Sequence, residues 1–234
     1  SLIPLQDKNN FMIIEPIEIA FTTGNVQKRL RLKDAATADE LIAKSTPLID
    51  ARAAYKISYI DGRDDDSVVI DQVEFTSGVL HKNLSGVNRV FAFVLTLGEN
   101  FEESIDSCDD LLEKYYLEEM GNLALRKARL VYESHLKRKY GLDKISCMSP
   151  GSLPDWPVDQ QKDLFDLLGD TEAVLGVRLT DSMLMLPRKS VSGIYFPSEV
   201  SFFSCQLCPR DRCDGRKAPY DASLAEEYGV LDKK

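Results

Sequence analysis

Cys205, Cys208 and Cys213 fall within nine residues as Cys-x2-Cys-x4-Cys, three of the chain's five cysteines. Thiolates at this spacing can converge on one soft metal or an iron–sulfur cluster, because a short loop lets the sulfurs turn toward a common point. Pro209 stiffens that loop, and Arg210, Arg212, Arg216 and Lys217 surround it with positive charge. Such surroundings lower thiol pKa and suit an anionic cluster. A closed site needs a fourth ligand, and Cys147 is the attractive choice, with Cys108 or a water as alternatives. The expectation is an iron–sulfur cluster on Cys205, Cys208, Cys213 and Cys147. Structural zinc is the alternative, and free thiols on an Arg-rich segment a third reading.

Other constellations carry less. Asp64, Asp65 and Asp66 follow a turn and read as a solvated loop, while Asp109, Asp110, Glu118 and Glu119 read as the wet face of a helix. With two histidines and no glycine-rich phosphate loop, neither a nucleophile–histidine relay nor nucleotide binding is supported. The formal net charge is −9, from 38 acidic and 29 basic residues, and the basic residues are mixed with acids along helical stretches. A nucleic-acid partner needs clustered cations to neutralise phosphates, so none is expected. The longest apolar run, 87–97, is broken by Asn88 and Arg89 and falls short of a membrane span. The N-terminus lacks the basic-then-apolar layout of a signal peptide, and an odd cysteine count argues against a disulfide framework. The expected compartment is the cytoplasm.

The elements that must position these residues alternate between strand and helix periodicity. Residues 15–21 read as an early strand. Thr37 to Glu40 has the form of a capping box opening a helix toward Tyr55, restarted at Pro47. Tyr55, Ile57 and Tyr59 alternate as a half-buried strand, Asp61-Gly62 reads as its turn, and 67–70 as the returning strand. Residues 89–97 form an apolar strand expected to be covered on both faces. From 99 to 140 the spacing is helical, with Leu117, Gly121, Ala124, Ala128, Val131 and His135 as one stripe and Gly141 as the stop. Residues 146–157, with three prolines and a glycine, form an ordered loop. A helix over 159–168 and strand-like runs at 177–180, 183–186, 190–196 and 201–205 follow. The expected fold class is α+β, a mainly antiparallel sheet with flanking helices. Residues 1–98 form an N-terminal α/β portion and 99–234 a second portion, expected to make one compact unit.

Two segments carry a family likeness. The first is Ser149-Pro150-Gly151 with Trp156-Pro157 and the helix that follows. The second runs from Gly176-Val177-Arg178-Leu179-Thr180-Asp181-Ser182 through Pro187 to Ser190-Val191-Ser192-Gly193-Ile194-Tyr195-Phe196. Together they resemble the activation domain of cobalamin-dependent methionine synthase and its small stand-alone relatives. The resemblance implies a domain that docks on a corrinoid (cobalamin-binding) protein and supports its reductive reactivation. There an electron from a flavodoxin- or ferredoxin-type donor, and then a methyl group from S-adenosylmethionine, restore methylcobalamin. The protein would be accessory to a methyltransferase system and would not itself hold the corrinoid. The alternative is a non-redox binding module for a corrinoid protein or a small ligand.

The resemblance places ligand-binding candidates at Ser149 and Gly151 of the loop and at Ser192, Gly193 and Tyr195 of the last strand. The family's S-adenosylmethionine loop reads Arg-x-x-x-Gly-Tyr, and its positions fall here on Cys147, Gly151 and Ser152, so only the glycine is kept. A family glutamate on the preceding helix falls on Arg126. Cysteine cannot reproduce the paired charge-assisted hydrogen bonds of an arginine to a ligand carboxylate.

Overall fold

A computed structural model describes residues 12–13, 16–213 and 215–230. In chain order the elements are β1 (Met12–Ile13), α1 (Thr23–Leu30), α2 (Ala35–Ser45), β2 (Arg52–Arg63), β3 (Ser67–Ile70), β4 (Val73–Thr76), α3 (Gly78–Asn83) and β5 (Arg89–Thr96). Then come α4 (Glu99–Asp106), α5 (Leu111–Tyr140), β6 (Ile145–Met148), α6 (Gln161–Leu168), α7 (Thr171–Leu175), β7 (Arg178–Leu179), β8 (Met185–Leu186), β9 (Ser190–Pro197) and α8 (Ala222–Glu227). The main sheet runs β4-β3-β2-β5-β9-β6, with β1 also on β2, and every strand pairing is antiparallel. This is the α+β arrangement expected from the sequence.

The register of the central strands follows from side-chain alternation, since successive residues of a strand face opposite sides. Phe91, Phe93 and Leu95 of β5 and Tyr195 of β9 pack with Ala124, Ala128, Tyr132 and Leu136 of α5. Ala92, Val94, Ile194 and Phe196 face the other way, into a core with α3, α6 and α7. The central position of β5 explains why it is buried on both sides, as its apolar run foretold. The β5–β9 pairing joins a strand before residue 98 to one after it, from Phe91↔Tyr195 to Thr96↔Ser190.

Small residues let α5 sit close. A Cβ on Gly121 would fall 2.7 Å from the ring of Phe101 on α4, so glycine is what allows those helices to touch. The expected stripe holds for Leu117, Gly121, Ala124 and Ala128 and then shifts, because Tyr132 and Leu136 are buried while Val131 is exposed. The helix has 3.6 residues per turn, so a stripe counted in threes and fours drifts off the buried face over 30 residues. Gly141 closes the helix in the left-handed conformation at φ 62°, as expected.

Several boundaries differ from expectation. Asp34, not Thr37, caps α2, accepting from the Thr37 amide at 2.7 Å, and that helix ends at Ser45 instead of reaching Tyr55. Strand β2 passes straight through Asp61-Gly62, with a register shift there, and the turn falls at 64–66, where all three aspartates are exposed. Residues 16–21 form no strand, and Glu15 lies outside the described residues. The helical region 99–140 is two helices, parted by 107–110. Residues 201–205 make only a single bridge, Cys147↔Phe203, and a short 3-10 turn over Ser204–Gln206. No helix among the described residues is long and apolar enough to cross a membrane.

Candidate functional site

Strand β6 lies at the sheet edge, and its Cys147 stands directly across from Tyr195 of β9. Both face α5, because both pack with the cluster that holds Tyr132 and Ala128. Above them, Arg129 of α5 donates from Nε to the Tyr195 hydroxyl at 3.2 Å and also engages the Cys147 thiol. Glu133 follows one helical turn later, on the same side of the helix. The chain after β9 closes the far side. The Phe202 amide donates to Ser146 Oγ at 2.8 Å, Phe203 bridges to Cys147, and Cys205 and Lys217 complete the wall. The result is a cleft of about 180 Å³ bounded by Arg129, Glu133, Cys147, Ser149, Cys205 and Lys217.

The electrostatics of this cleft are lopsided. Desolvation works against the Arg129 charge, but Cys147 and Tyr195 more than offset it, so its pKa lies above the ordinary value and the guanidinium stays charged. Burial pushes the Cys147 thiol up, although Arg129 and Lys217 pull it the other way, so the neutral thiol is favoured. Burial likewise raises Tyr195. Withdrawal from water, and next the charge of Arg129, lower the Lys217 ammonium. Two cations, one carboxylate and two neutral groups thus share one opening.

The expected site residues divide around this cleft. Ser149 lines it, with its hydroxyl donating to the Ser192 carbonyl at 2.6 Å. Tyr195 meets it through Arg129. Gly151 sits outside the lining, in a turn at φ 78° whose amide donates to the Trp156 carbonyl at 2.8 Å. Ser192 is buried and shares the face of Ile194 and Phe196 by alternation. Gly193 is needed for close approach: a Cβ there would fall 2.5 Å from Ser149 Oγ and 2.6 Å from the Met148 carbonyl. Arg126 is exposed, a turn away from the cleft. The residues that sequence reasoning overlooked are Arg129 and Glu133. Their spacing of four was visible, but nothing in one sequence said that this side of α5 would meet β6 and not solvent.

The four-cysteine centre is a correction. Among the described residues no three Cys, His, Asp or Glu side chains come together as a metal-binding group. The sheet is the reason: Cys147 packs on its α5 face, while Cys208 packs against the opposite core with Phe202 and Leu207. Cys213 is exposed, and Cys108 lies beside α4 and α5 near Ile105. Only Cys147 and Cys205 share the cleft. The loop is instead organised by Arg216, which donates to the carbonyls of Cys205 at 3.0 Å, Cys208 at 3.1 Å and Ala218 at 3.2 Å, and to that of Arg210. The donor set does not fit an iron–sulfur cluster or a zinc ion.

Residues 147–218, which build β6, the loop, β9 and the closing wall, match the family model described as vitamin B12 dependent methionine synthase, activation domain. No curated protein matches the chain. Among solved structures, the crystal structure of the MetH reactivation domain bound to AdoHcy is similar, with a TM-score of 0.54 and 20% sequence identity. The similarity covers 80% of this chain and 70% of that one, and it speaks for the fold. Residues 147–218 are therefore similar to the activation domain of vitamin B12 dependent methionine synthase, within a chain that shares the fold of the solved reactivation domain.

Proposed function

We propose that the protein is an accessory module of a cobalamin-dependent methyl-transfer system, docking on a cobalamin-binding partner and supporting its reductive reactivation. The observation that carries this reading is the family match over residues 147–218, which takes in Cys147, Ser149, Cys205 and Lys217 of the cleft wall, while Arg129 and Glu133 of α5 lie before it. The solved relative was crystallised with AdoHcy, the product left when S-adenosylmethionine gives up its methyl group, so a ligand of that kind is proposed for this chain too. Such a ligand, when bound, supplies the methyl group. The chain supplies position and exclusion of water, and the partner's cobalamin carries the bond-making. Electrons would come from a flavodoxin- or ferredoxin-type donor directly, since the cysteines do not assemble a relay.

The test is reconstitution. A purified cobalamin-binding partner in its Co(II) state is mixed with reduced flavodoxin and S-adenosylmethionine, with and without this protein, and methylcobalamin is followed by absorbance. The reading expects methylcobalamin to form much faster with the protein present. Equal rates with and without it would sink the proposal.

A further inference from the structure

The start of α5 holds three large apolar side chains out in water. Leu111 is 83% exposed, Leu112 60% and Tyr115 52%, and three so close together differ from the single exposed leucine that any surface carries. About 27 Å of helix separates Leu111 from Arg129, so this face is far from the cleft. Beside it, between α4 and the β7–β8 hairpin, runs a groove of about 440 Å³. Arg188 joins the two features. It binds Glu102 at 2.7 Å and Asp106 at 2.6 Å on α4, and it lies 3.6 Å from Glu118 of α5. Glu118 shares its side of the helix with Leu111 and Tyr115, seven and three residues earlier.

Charge decides what such a face can receive. Residues 99–119 hold nine carboxylates against one cation, Lys114. The groove lining has five carboxylates against Arg178 alone, over an apolar floor of Leu186 and Pro187. Among the described residues, Glu99, Glu103 and Glu172 of that lining make no ion pair. Nucleic acid, anionic lipid headgroups and acidic proteins are all repelled by this field, so the exposed leucines are no membrane anchor. A single metal ion does not fit either, because among the described residues no three carboxylates converge as a metal-binding group. The acids are instead strung out. Glu99 and Glu103, and again Glu102 and Asp106, stand one helical turn apart, about 6 Å between Cβ atoms. Lys or Arg side chains four residues apart on a facing helix have the same spacing.

We propose that this face of α4 and α5 receives a basic amphipathic helix of a partner protein. Its Lys and Arg heads meet Glu99, Glu103 and Glu172, their methylene stems lie over Leu186 and Pro187, and its apolar side chains pack on Leu111, Leu112 and Tyr115. The carboxylates supply attraction at a distance and the choice of partner, while the apolar trio supplies the buried area.

Fluorescence anisotropy with two labelled helical peptides tests it. One carries Lys every fourth residue beside a stripe of Leu, and the other has Glu in place of each Lys. The Lys peptide is expected to bind and the Glu peptide to stay free. Glu99→Gln, Glu103→Gln and Glu172→Gln together should weaken the Lys peptide about tenfold, the sum of three exposed ion pairs. Asp64→Asn, Asp65→Asn and Asp66→Asn together remove the same charge from an exposed loop elsewhere and should leave its affinity unchanged. Leu111→Ser with Tyr115→Ser should also weaken it about tenfold, as loss of apolar anchors does, with the thermal melt unmoved. Leu111→Lys, which keeps a good helix former and sets a cation against the peptide, is the second arm should the serine variant melt early. No binding of the Lys peptide, equal weakening by the two triple variants, or indifference to the changes at Leu111 and Tyr115 would each overturn the inference. So would a doubled mass in light scattering that Leu111→Ser with Tyr115→Ser abolishes, since the face would then belong to a second copy of the chain. None of these arms uses a cobalamin-binding partner or the cleft, so their failure leaves the proposed function standing.

Discussion

At the residue scale, the atoms around Gly193 decide whether β6 can dock. With a Cβ placed 2.5 Å from Ser149 Oγ and 2.6 Å from a backbone carbonyl, Gly193→Ala forces β6 and β9 apart. The expected loss is about 3 kcal/mol, the upper range for overpacking in a well-filled interior, read as a lower urea midpoint. The five thiols should also differ in reactivity. Cys213 is exposed, whereas the Cys147 thiol is desolvated and its pKa raised. Iodoacetamide at neutral pH should therefore label Cys213 well before Cys147, by peptide mass mapping; the reverse order would contradict the electrostatics of the cleft. His135 belongs at this scale too. Desolvation, then Lys139 and Arg138, lower its pKa below 6.5, and its Nε2 has no hydrogen-bond partner among the described residues. The folded chain thus binds this proton more weakly than the unfolded one. Stability is fully present above the unfolded value and is lost as pH falls through the folded one. Melting temperature should drop between about pH 7.5 and about pH 5.5, roughly one unit on either side of the ordinary His pKa, and His135→Gln should flatten that slope.

At the scale of elements, the loop between β6 and α6 is held from outside itself. Asp155 accepts the Val79 amide at 2.9 Å and the Ser77 hydroxyl, so one carboxylate caps α3 and pins the loop that follows Ser149. Asp155→Ala should cost about 1–2 kcal/mol in urea unfolding, the range for a lost helix cap with its donors left unmet. Ser77 is the local cap of α3 and was open to recognition by type; Asp155 sits 76 residues from Val79 and was not. The same contrast runs through the helices. Gly141 stops α5 by a local conformational preference that one residue carries. Which side of α5 is buried past Ala128 depends on Tyr55, Phe93 and Tyr195, whose rings surround Tyr132. That side is set by the sheet, so a count along the helix alone drifted to Val131 and His135.

For the whole molecule, the sheet is both scaffold and partition. Its central strand β5 is paired on both edges and covered on both faces, so its amides should be the slowest to exchange with deuterium, together with those of β9. The partition is what undid the metal expectation, since it sends Cys147 and Cys208 into different cores. It also creates the cleft, by bringing α5, β6 and the chain after β9 to one edge.

Alternation and residue order were enough, within the sequence itself, to determine the antiparallel α+β class, the buried central strand and the likeness carried by the Ser149-Pro150-Gly151 loop and by the segment from Gly176 to Phe196. Those are local signals: a period of two, a glycine where φ is positive, a run of residue types in fixed order. Tertiary structure alone decided that Arg129, Glu133, Cys147 and Lys217 share an opening while the clustered cysteines part company. The physical reason is that convergence depends on which face of a strand or helix meets which neighbour. Spacing along the chain fixes a side chain's direction within its own element, and only packing fixes what stands opposite.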